Sequence, residues 1–442
     1  MKRRFLPVQV LLLPVFGRWL LLSSLVGVLG GLASALLIVS LDWATITRTQ
    51  HPWLLWLLPV AGLVVGSFYH RFGQSVEGGN NLLIDEIHDP QRVVPKRMAP
   101  SILITTTITH LFGGSAGREG TAVQMSGALA DHLAQLFRLN KEERRILLMS
   151  GISAGFASVF GTPLAGAVFG LEVLSIGRLR YDAIFPCFIA AIVGEVIPGA
   201  LGIHHTLYVV PFIPHPSAIL LLSAVVAGIA FGIVGMLFSN LTHGLGRLIK
   251  RHIKHPPFRP MLGGIVVALA ATAIGGDKYL GLGIPTIVDA FQQPLPAYDF
   301  AGKLAFTVTT LASGFKGGEV TPLFYIGATL GNALGYLLPL PFPVLAGLGF
   351  VAVFAGAANT PIASTIMAME LFGSEIGIYA GIACVVAYLF SGHTGIYRAQ
   401  RVGQAKHASS TLPEGLRLSD VAAYREAEET HKAPAPEPAD KK

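Results

Sequence analysis

Three glycine-rich turns carry the residue types in this chain that could bind an anion. Gly113–Thr121 and Gly317–Pro322 each combine glycines with a glutamate and a threonine, and Gly78–Asn81 precedes a third short helical segment, Leu82–His88. Free backbone N–H groups at a helix start, together with the helix macrodipole, attract anions, and glycine lets an anion approach the backbone closely. Glycines that only allow close helix packing are the alternative. Three such turns favour an anion path.

Glu119 could couple anion movement to a proton. A carboxylate at a helix N-terminus is itself an anion, so it can occupy a site meant for a transported one. Protonation would remove its charge and let the transported anion enter. A structural ion pair with Arg118 is the alternative, but an acid inside membrane sequence favours a functional role. Glu319 has the equivalent position in the second turn, with Lys316 nearby, and one of the two glutamates could serve structure only.

The chain contains an internal repeat that relates two of these turns. Thr109, Leu111, Gly114, Gly117, Glu119 and Thr121 recur as Thr309, Leu311, Gly314, Gly317, Glu319 and Thr321, 200 residues later. Thr162-Pro163-Leu164-Ala165 and Glu172 recur, with one conservative change, as Thr360-Pro361-Ile362-Ala363 and Glu370, 198 residues later. A duplication with Gly- and Pro-interrupted apolar segments predicts a transporter whose site lies between two halves, about 50–205 and 215–402.

The elements that position these turns are apolar. Hydrophobic residues make up 52% of the 442 residues and charged residues 13%, against roughly 25% charged in soluble proteins. The mean hydropathy is +0.60. These values exclude a soluble domain and a disordered chain, and predict an integral membrane protein. The runs without Asp, Glu, Lys or Arg are continuous, which excludes a β-barrel, and several are broken by glycine and proline. These runs are Trp19–Leu41, Pro52–Tyr69, Ala99–Gly117, Ile146–Leu171, Val196–Gly246, Thr321–Met369 and Ile376–Tyr397.

The polar ends set the expected boundaries. We expect a cytoplasmic or interfacial segment at 1–18, a membrane transport domain at 19–402 and a polar, solvated cytoplasmic tail at 403–442. Basic residues at both ends predict that both termini lie in the cytoplasm. The formal net charge of +7 lies outside the charge-balanced tail and is explained by interfacial Lys and Arg, so no nucleic-acid partner is expected. Cys187 and Cys384 lie in apolar runs and predict neither a disulfide framework nor a metal site, and no cofactor is expected.

The turn sequences resemble those of the CLC family of chloride channels and anion/proton antiporters. The similarity rests on Gly-Arg-Glu-Gly at 117–120, Gly-Gly-Glu-Val-Thr-Pro at 317–322 and Gly-Ile-Tyr at 395–397, and extends from about residue 20 to 405. It implies an all-α polytopic membrane protein with two inverted repeats of short, broken transmembrane helices. It also implies a homodimer in the lipid bilayer with one ion path per subunit, and a transporter or channel rather than an enzyme.

The resemblance also implies roles for individual residues. Glu119 matches the gating, proton-coupling glutamate. Asn80 stands at the serine position of the first anion-site turn, and the Tyr397 hydroxyl faces the central anion site. The anion-binding residues implied are Asn80, Gly117, Arg118, Gly120, Gly318, Val320, Thr321 and Tyr397.

Three departures from the usual pattern resemble the bacterial fluoride/proton antiporters. Asn80 replaces the serine, Thr121 stands where many members have proline, and Val173 occupies the position of an inner proton-handling glutamate. Fluoride is small and strongly hydrated, and an asparagine amide offers two N–H donors where serine offers one O–H. We therefore expect fluoride export against protons across a bacterial inner membrane. Because Val173 has no carboxyl group, the sequence does not identify the inward proton route. Glu172 is the nearest candidate relay, and the alternative is that Glu172 is a structural carboxylate.

The sequence also allows alternative functions. A chloride channel or chloride/proton antiporter would have the same fold, and Asn80 could serve chloride or simply cap its helix. An intramembrane serine protease would use Ser115 with a base such as His110 or His393. The repeat argues against the protease, because Ser115 corresponds to Phe315 and His110 to Thr310. His204-His205 could suggest a metal, but without acidic or cysteine partners nearby a loop pair is favoured.

Overall fold

The computed structural model describes residues 8–408 and 411–432, which form an all-helical protein with one two-stranded sheet. The α-helices are α1 (Val8–Gln50), α2 (Leu58–Phe68), α3 (Asn80–His88), α4 (Met98–Leu111), α5 (Glu119–Leu136), α6 (Lys141–Phe160), α7 (Pro163–Glu172), α8 (Ile184–Ala200), α9 (Ala218–His252), α10 (Phe258–Ile274), α11 (Ile284–Gln292), α12 (Asp299–Ser313), α13 (Val320–Leu334), α14 (Phe342–Ala358), α15 (Pro361–Phe372), α16 (Gly377–Phe390) and α17 (Val421–Lys432). The strands β1 (Ser175–Ile176) and β2 (Arg401–Val402) pair in parallel.

The helices have the lengths of a multi-pass membrane protein. Among the described residues, four helical stretches are long and apolar enough to cross a bilayer, Leu12–Gln50, Pro52–His88, Tyr181–Ala200 and Ala218–His252. Other apolar helices are shorter, such as Pro163–Glu172 and Pro361–Phe372. The prediction of short, broken helices is therefore confirmed.

The breaks occur where the backbone cannot continue a helix. Gly161 ends α6 in a left-handed conformation (φ 70°), and Pro163 then starts α7. Asn359 (φ 59°) and Pro361 make the equivalent break between α14 and α15. Proline at the first helical position loses no intrahelical hydrogen bond, so it marks the start of each new helix. The same break recurs in each half of the chain.

In the described part of the chain, the first sixteen α-helices fall into two halves of eight, α1–α8 and α9–α16, and α17 belongs to the tail. The element order makes α1 the counterpart of α9, so the first half begins before residue 50. The continuous α1 also spans the boundary expected between residues 18 and 19. The halves are inverted repeats, which places their glycine turns in the middle of the molecule.

The repeated glutamates hold short helices of the opposite half. Glu172 at the end of α7 accepts hydrogen bonds from the backbone N–H groups of Ile362 (3.0 Å) and Ala363 (2.8 Å) at the start of α15. Glu370 in α15 accepts equivalent bonds from Leu164 (2.9 Å) and Ala165 (2.8 Å) in α7. Each carboxylate therefore satisfies free donors at the other helix's N-terminus. This geometry favours the structural interpretation of Glu172 over a proton relay.

The described part of the C-terminal tail is docked on the membrane domain, unlike the solvated extension expected from the sequence. The backbone N–H of Gly403, which follows β2, donates to Ile176 O (3.0 Å), and the backbone N–H of Val402 donates to Leu416 O (2.9 Å). Leu418 and Val421 are buried against Ile176 and Val402. The tail docks because these apolar side chains interrupt its polar sequence. The Pro-rich stretch at 433–438 lies outside the described residues.

Candidate functional site

The two repeated turns meet each other directly. Gly117 and Gly318 exchange two backbone hydrogen bonds, with N···O distances of 2.6 and 2.7 Å. α5 and α13 each begin two residues after these glycines, so both helix N-termini converge on one place. Their free N–H groups and macrodipoles concentrate positive potential there. This is the arrangement that an anion would require.

The Glu119 carboxylate occupies this convergence point. One oxygen, Oε2, accepts from the backbone N–H groups of Thr321 (3.0 Å) and Arg118 (3.2 Å). The other, Oε1, accepts from the Thr321 hydroxyl at 2.5 Å and lies 3.7 Å from Arg118 Nε. Glu119 is 1% exposed. Glu119, from the first half, thus accepts hydrogen bonds from Thr321 at the start of α13 in the second half. The contact with Arg118 exists in addition to these bonds, so an ion pair alone does not account for the position of the carboxylate.

Glycine is required at the convergence point because backbone and side chains approach so closely. A Cβ on Gly120 would lie 3.0 Å from Asn80 Nδ2 and 3.2 Å from Gly318 Cα. A Cβ on Gly117 would lie 2.9 Å from both Gly318 O and Glu119 Oε2. Side chains at these positions would displace the carboxylate or separate the turns. Val320, the first residue of α13, is 1% exposed and packs beneath them.

Asn80 brings the third turn to the same place. It is the first residue of α3 and makes no side-chain capping bond, because Gly79 (φ 56°) holds the cap position. Its Oδ1 is buried with no hydrogen-bond partner among the described residues. The alternative that Asn80 simply caps α3 does not match this geometry. This oxygen is an acceptor and cannot bind an anion, so the Nδ2 group of the same amide, beside Gly120, is the part of Asn80 that could donate to one.

Tyr397 reaches the site on a loop that follows α16. Gln400 anchors this loop by donating to Val173 O (2.7 Å) and Ala358 O (2.8 Å), and Asn81 Oδ1 accepts from Ala399 N (2.9 Å). The Tyr397 ring stands edge-on to Phe169, with centroids 6.4 Å apart. Residue 173 thus contributes a backbone carbonyl to the anchor, while its valine side chain has no carboxyl to offer a proton.

A wide cavity of about 630 Å³ opens on one side of the convergence point. It is lined by polar and basic residues from both halves, including Glu77, Asn80, His243, Arg247, Lys250, Lys316, Glu319, Tyr397 and Arg398. Lys316 Nζ lies 4.1 Å from the centre of the Tyr69 ring. Glu319, which was not among the anion-binding residues expected from the sequence, therefore faces the same space as Asn80 and Tyr397. Its repeat relation to Glu119 was the signal for it.

A narrow cavity of about 20 Å³ lies on the opposite side of Glu119. Arg118, Glu119 and Thr321 line it together with His205 and Tyr208. Its volume is about enough for one water molecule. The His205 ring packs against Gly161, where an added Cβ would come within 2.6 Å of it. Sequence reasoning placed His205 in a loop pair and missed its proximity to Glu119, because the loop returns into the protein.

The structure does not assemble the other chemistries considered. Ser115 Oγ lies 2.9 Å from Thr307 Oγ1, while the His110 ring nitrogens contact the carbonyls of Thr106 and Ala116. These separate partners leave no serine–base pair. Within the described residues, no group of three or more His, Cys, Asp or Glu side chains could hold a metal. Thr121, at the usual proline position, bonds Thr106 through their hydroxyls at 2.9 Å.

Comparisons with known proteins agree with this geometry. A family model described as voltage gated chloride channel matches residues 61–392. A chloride/fluoride channel protein of Pseudomonas syringae pv. tomato is 60% identical over 421 residues, 94% of this chain and 93% of that protein. The H⁺/Cl⁻ exchange transporter ClcA of Cronobacter sakazakii is 28% identical over 386 residues, covering 80% and 81%. A crystal structure of a CLC-type fluoride/proton antiporter superposes with a TM-score of 0.85 at 35% identity, covering 87% of this chain and 98% of that one.

Proposed function

The chain belongs to the voltage-gated chloride channel (CLC) family, and from that premise we propose that it is a fluoride/proton antiporter that exports fluoride. It is a multi-pass anion/proton transporter of this family rather than an enzyme. The 60%-identical chloride/fluoride channel protein and the superposing fluoride/proton antiporter support fluoride as the anion. A bacterial inner membrane and a homodimer are further parts of the proposal.

The contacts of Glu119 carry the proposal. Its carboxylate accepts three hydrogen bonds from Thr321 N, Thr321 Oγ1 and Arg118 N, at a point between the wide and narrow cavities. A small anion that replaces the carboxylate would gain the same donors. Two negative charges in one buried site repel each other strongly, so the anion enters when Glu119 is protonated and leaves when it ionises again. Exchange of an anion for a proton follows from this competition.

We place the wide-cavity end of the proton path at Glu319. Val173 supplies no carboxyl, and the Glu172 carboxylate is engaged by two backbone N–H groups of α15. Glu319 lines the wide cavity beside Asn80 and Tyr397, and an added Cβ on Gly120 would lie 3.5 Å from its Oε2. Gly120 follows Glu119 directly in the chain, so the Glu319 carboxyl lies beside the turn that carries Glu119. Glu319 is therefore the acid best placed to exchange protons with Glu119.

Asn80 supports fluoride over chloride. Fluoride loses more hydration than chloride on entering a site, so the site must replace that hydration with closely spaced N–H and O–H donors. The Asn80 amide adds up to two donors to the hydroxyls of Thr321 and Tyr397. A chloride/proton antiporter is the second candidate, because the 28%-identical relative carries that name.

The deciding experiment is anion efflux from proteoliposomes with external pH recorded in the same vessel. Loading with fluoride should give fast efflux accompanied by proton uptake, and loading with chloride should give markedly slower efflux. Asn80→Ser, which restores the more common residue, should lower the ratio of fluoride to chloride flux. Gln135→Ser is the control, since Gln135 is exposed near the far end of α5, 16 residues beyond Glu119. Chloride efflux as fast as fluoride efflux in the unmodified protein would refute the fluoride assignment.

A further inference from the structure

A second basic cavity adjoins the wide one and includes the docked tail. Its volume is about 240 Å³. Three elements enclose it: the end of α9, the loop 391–398 and the tail segment 418–425. The lining residues are Asn240, His243, Arg247, His393, Thr394, Gly395, Arg398, Leu418, Ser419, Val421, Ala422 and Arg425. Neither the anion path nor the repeat accounts for it.

The cationic groups of this tail cavity lack matching acids. Arg247, Arg398 and Arg425 all line it, and no Asp or Glu is among its described lining residues. Arg398 donates to the backbone carbonyl of Ser419 at 3.0 Å. Asp420 lies near Arg398 but outside the lining. Guanidinium groups gathered around a space without carboxylates repel one another, and a bound anion would remove that repulsion.

His393 adds a buried donor that no described residue satisfies. It is 5% exposed. Its Nε2 lies 3.1 Å from the backbone N–H of Lys406 and accepts a hydrogen bond from it. The ring hydrogen of a neutral imidazole is therefore on Nδ1, which is buried and has no partner among the described residues. A buried N–H without an acceptor is uncommon in folded proteins and points to an absent ligand.

We propose that the tail cavity binds a phosphate group through Arg247, Arg398, Arg425 and His393 Nδ1–H. Guanidinium groups form paired hydrogen bonds with the oxygens of phosphate, and an oxyanion of that size suits the volume better than a halide does. The phosphate could be free in solution or belong to a lipid headgroup. Both sources present the same oxygens, so the chemistry of the site is the same.

Phosphate binding would also link the tail to transport. Arg247 and Arg398 line the wide cavity as well as the tail cavity. A bound phosphate would neutralise part of the positive rim that attracts a transported anion, so anion flux should fall as phosphate rises. This consequence rests on the proposed function, whereas binding itself does not.

The test is equilibrium dialysis of labelled inorganic phosphate against the purified full-length protein at constant ionic strength. We expect saturable binding of one phosphate per chain, weakened at least about ten-fold by Arg425→Gln. Arg251→Gln removes the same charge from an exposed position at the end of α9, outside the cavity, and should change binding less than about two-fold. Because Arg425 is exposed, its substitution should leave the fold intact, as gel filtration would verify.

A second arm separates the two sources of phosphate. The protein is placed in nanodiscs of phosphatidylcholine alone or with phosphatidic acid, and labelled phosphate is titrated again. Loss of free-phosphate binding in the phosphatidic acid discs identifies a lipid headgroup as the occupant, and unchanged binding identifies phosphate from solution. Either result supports the site. Non-saturable binding, or equal weakening by Arg425→Gln and Arg251→Gln, would overturn it.

Discussion

The Glu119 carboxylate shows how one side chain can stand in for a transported anion. Its oxygens take a backbone N–H and a hydroxyl from Thr321 and a backbone N–H from Arg118. Hydrogen bonds to a charged group are worth about 1.5–3 kcal/mol each, so the charged form is held firmly until a proton or a competing anion arrives. In the proposed mechanism, the gate is a competition for donors and needs no large movement of helices.

Glu119→Gln should abolish proton movement while leaving the protein folded. The amide is nearly the same size and keeps one acceptor oxygen, but it cannot release a proton. Proton uptake driven by a fluoride gradient in proteoliposomes is the measurement, with gel filtration to verify the fold. Glu319→Gln should slow proton uptake as well, because it removes the acid on the wide-cavity side. Glu375→Gln, which alters an exposed carboxyl that lines neither cavity, is the control. Proton coupling that persists in Glu119→Gln would contradict the gate assignment.

Tyr397→Phe should weaken anion transport moderately and leave the fold unchanged. The substitution removes one hydroxyl from the wide cavity, and one neutral hydrogen bond contributes about 0.5–1.5 kcal/mol, or about two- to ten-fold in affinity. Half-saturating fluoride concentration in the efflux assay is the measurement. Tyr379→Phe is the matched control, since that hydroxyl bonds Pro214 O and lines neither cavity. Equal effects of the two variants would remove Tyr397 from the site.

At the scale of elements, close contact between helices keeps the turns in register. α13 follows the Gly317–Glu319 turn and packs along α14 with glycines at the crossing. A Cβ on Gly327 would clash with the backbone carbonyl of Gly349, and one on Gly331 would clash with that of Leu345. Small residues let membrane helices approach until their backbones touch, where van der Waals contact replaces the hydrophobic effect. The position of the α13 N-terminus depends on this contact.

Gly327→Ala should strongly destabilise the protein. The methyl group would meet backbone atoms, which cannot rotate away, so α13 would have to move from α14. Gly244→Ala in α9 is the matched control, because nothing lies within 4 Å of its added Cβ and alanine favours a helix by about 1 kcal/mol. We expect a lower thermal unfolding midpoint in detergent for Gly327→Ala and an equal or higher one for Gly244→Ala. A midpoint unaffected by Gly327→Ala would contradict the close crossing.

At the scale of the whole molecule, the features that recur in both halves could be predicted from the sequence, whereas contacts made by unrepeated segments could not. The turn glycines, Glu119 and the proline-marked helix breaks were visible because they recur at a nearly constant spacing. The inclusion of α1 in the first half, the docking of Leu418 and the approach of His205 to Glu119 could not be predicted. Each depends on contacts between distant or unrepeated segments, which leave no local pattern. The sequence showed that Glu172 and Glu370 occupy equivalent positions in the two halves, but it did not show which backbone N–H groups they bind.

The distribution of basic residues predicts the orientation of the whole protein in the membrane. Arg18 near the start of α1 pairs with Glu143, Arg144 with Glu86, and Arg417 of the tail with Asp85, so these groups share one face.

The wide cavity, lined by Arg247 and Lys250, is linked to the tail on that face through Arg398, and the positive-inside rule predicts that this face is cytoplasmic. Gln50 lies 32 residues beyond Arg18 along the continuous α1, about 48 Å away, at the opposite face. Because Cys187 and Cys384 are buried, new exposed cysteines can be labelled selectively. A membrane-impermeant maleimide added to intact cells should label Gln50→Cys and spare Arg251→Cys, and inside-out vesicles should give the reverse. Labelling of Arg251→Cys from outside intact cells would place the wide cavity outside, and the export direction would then have to be reversed.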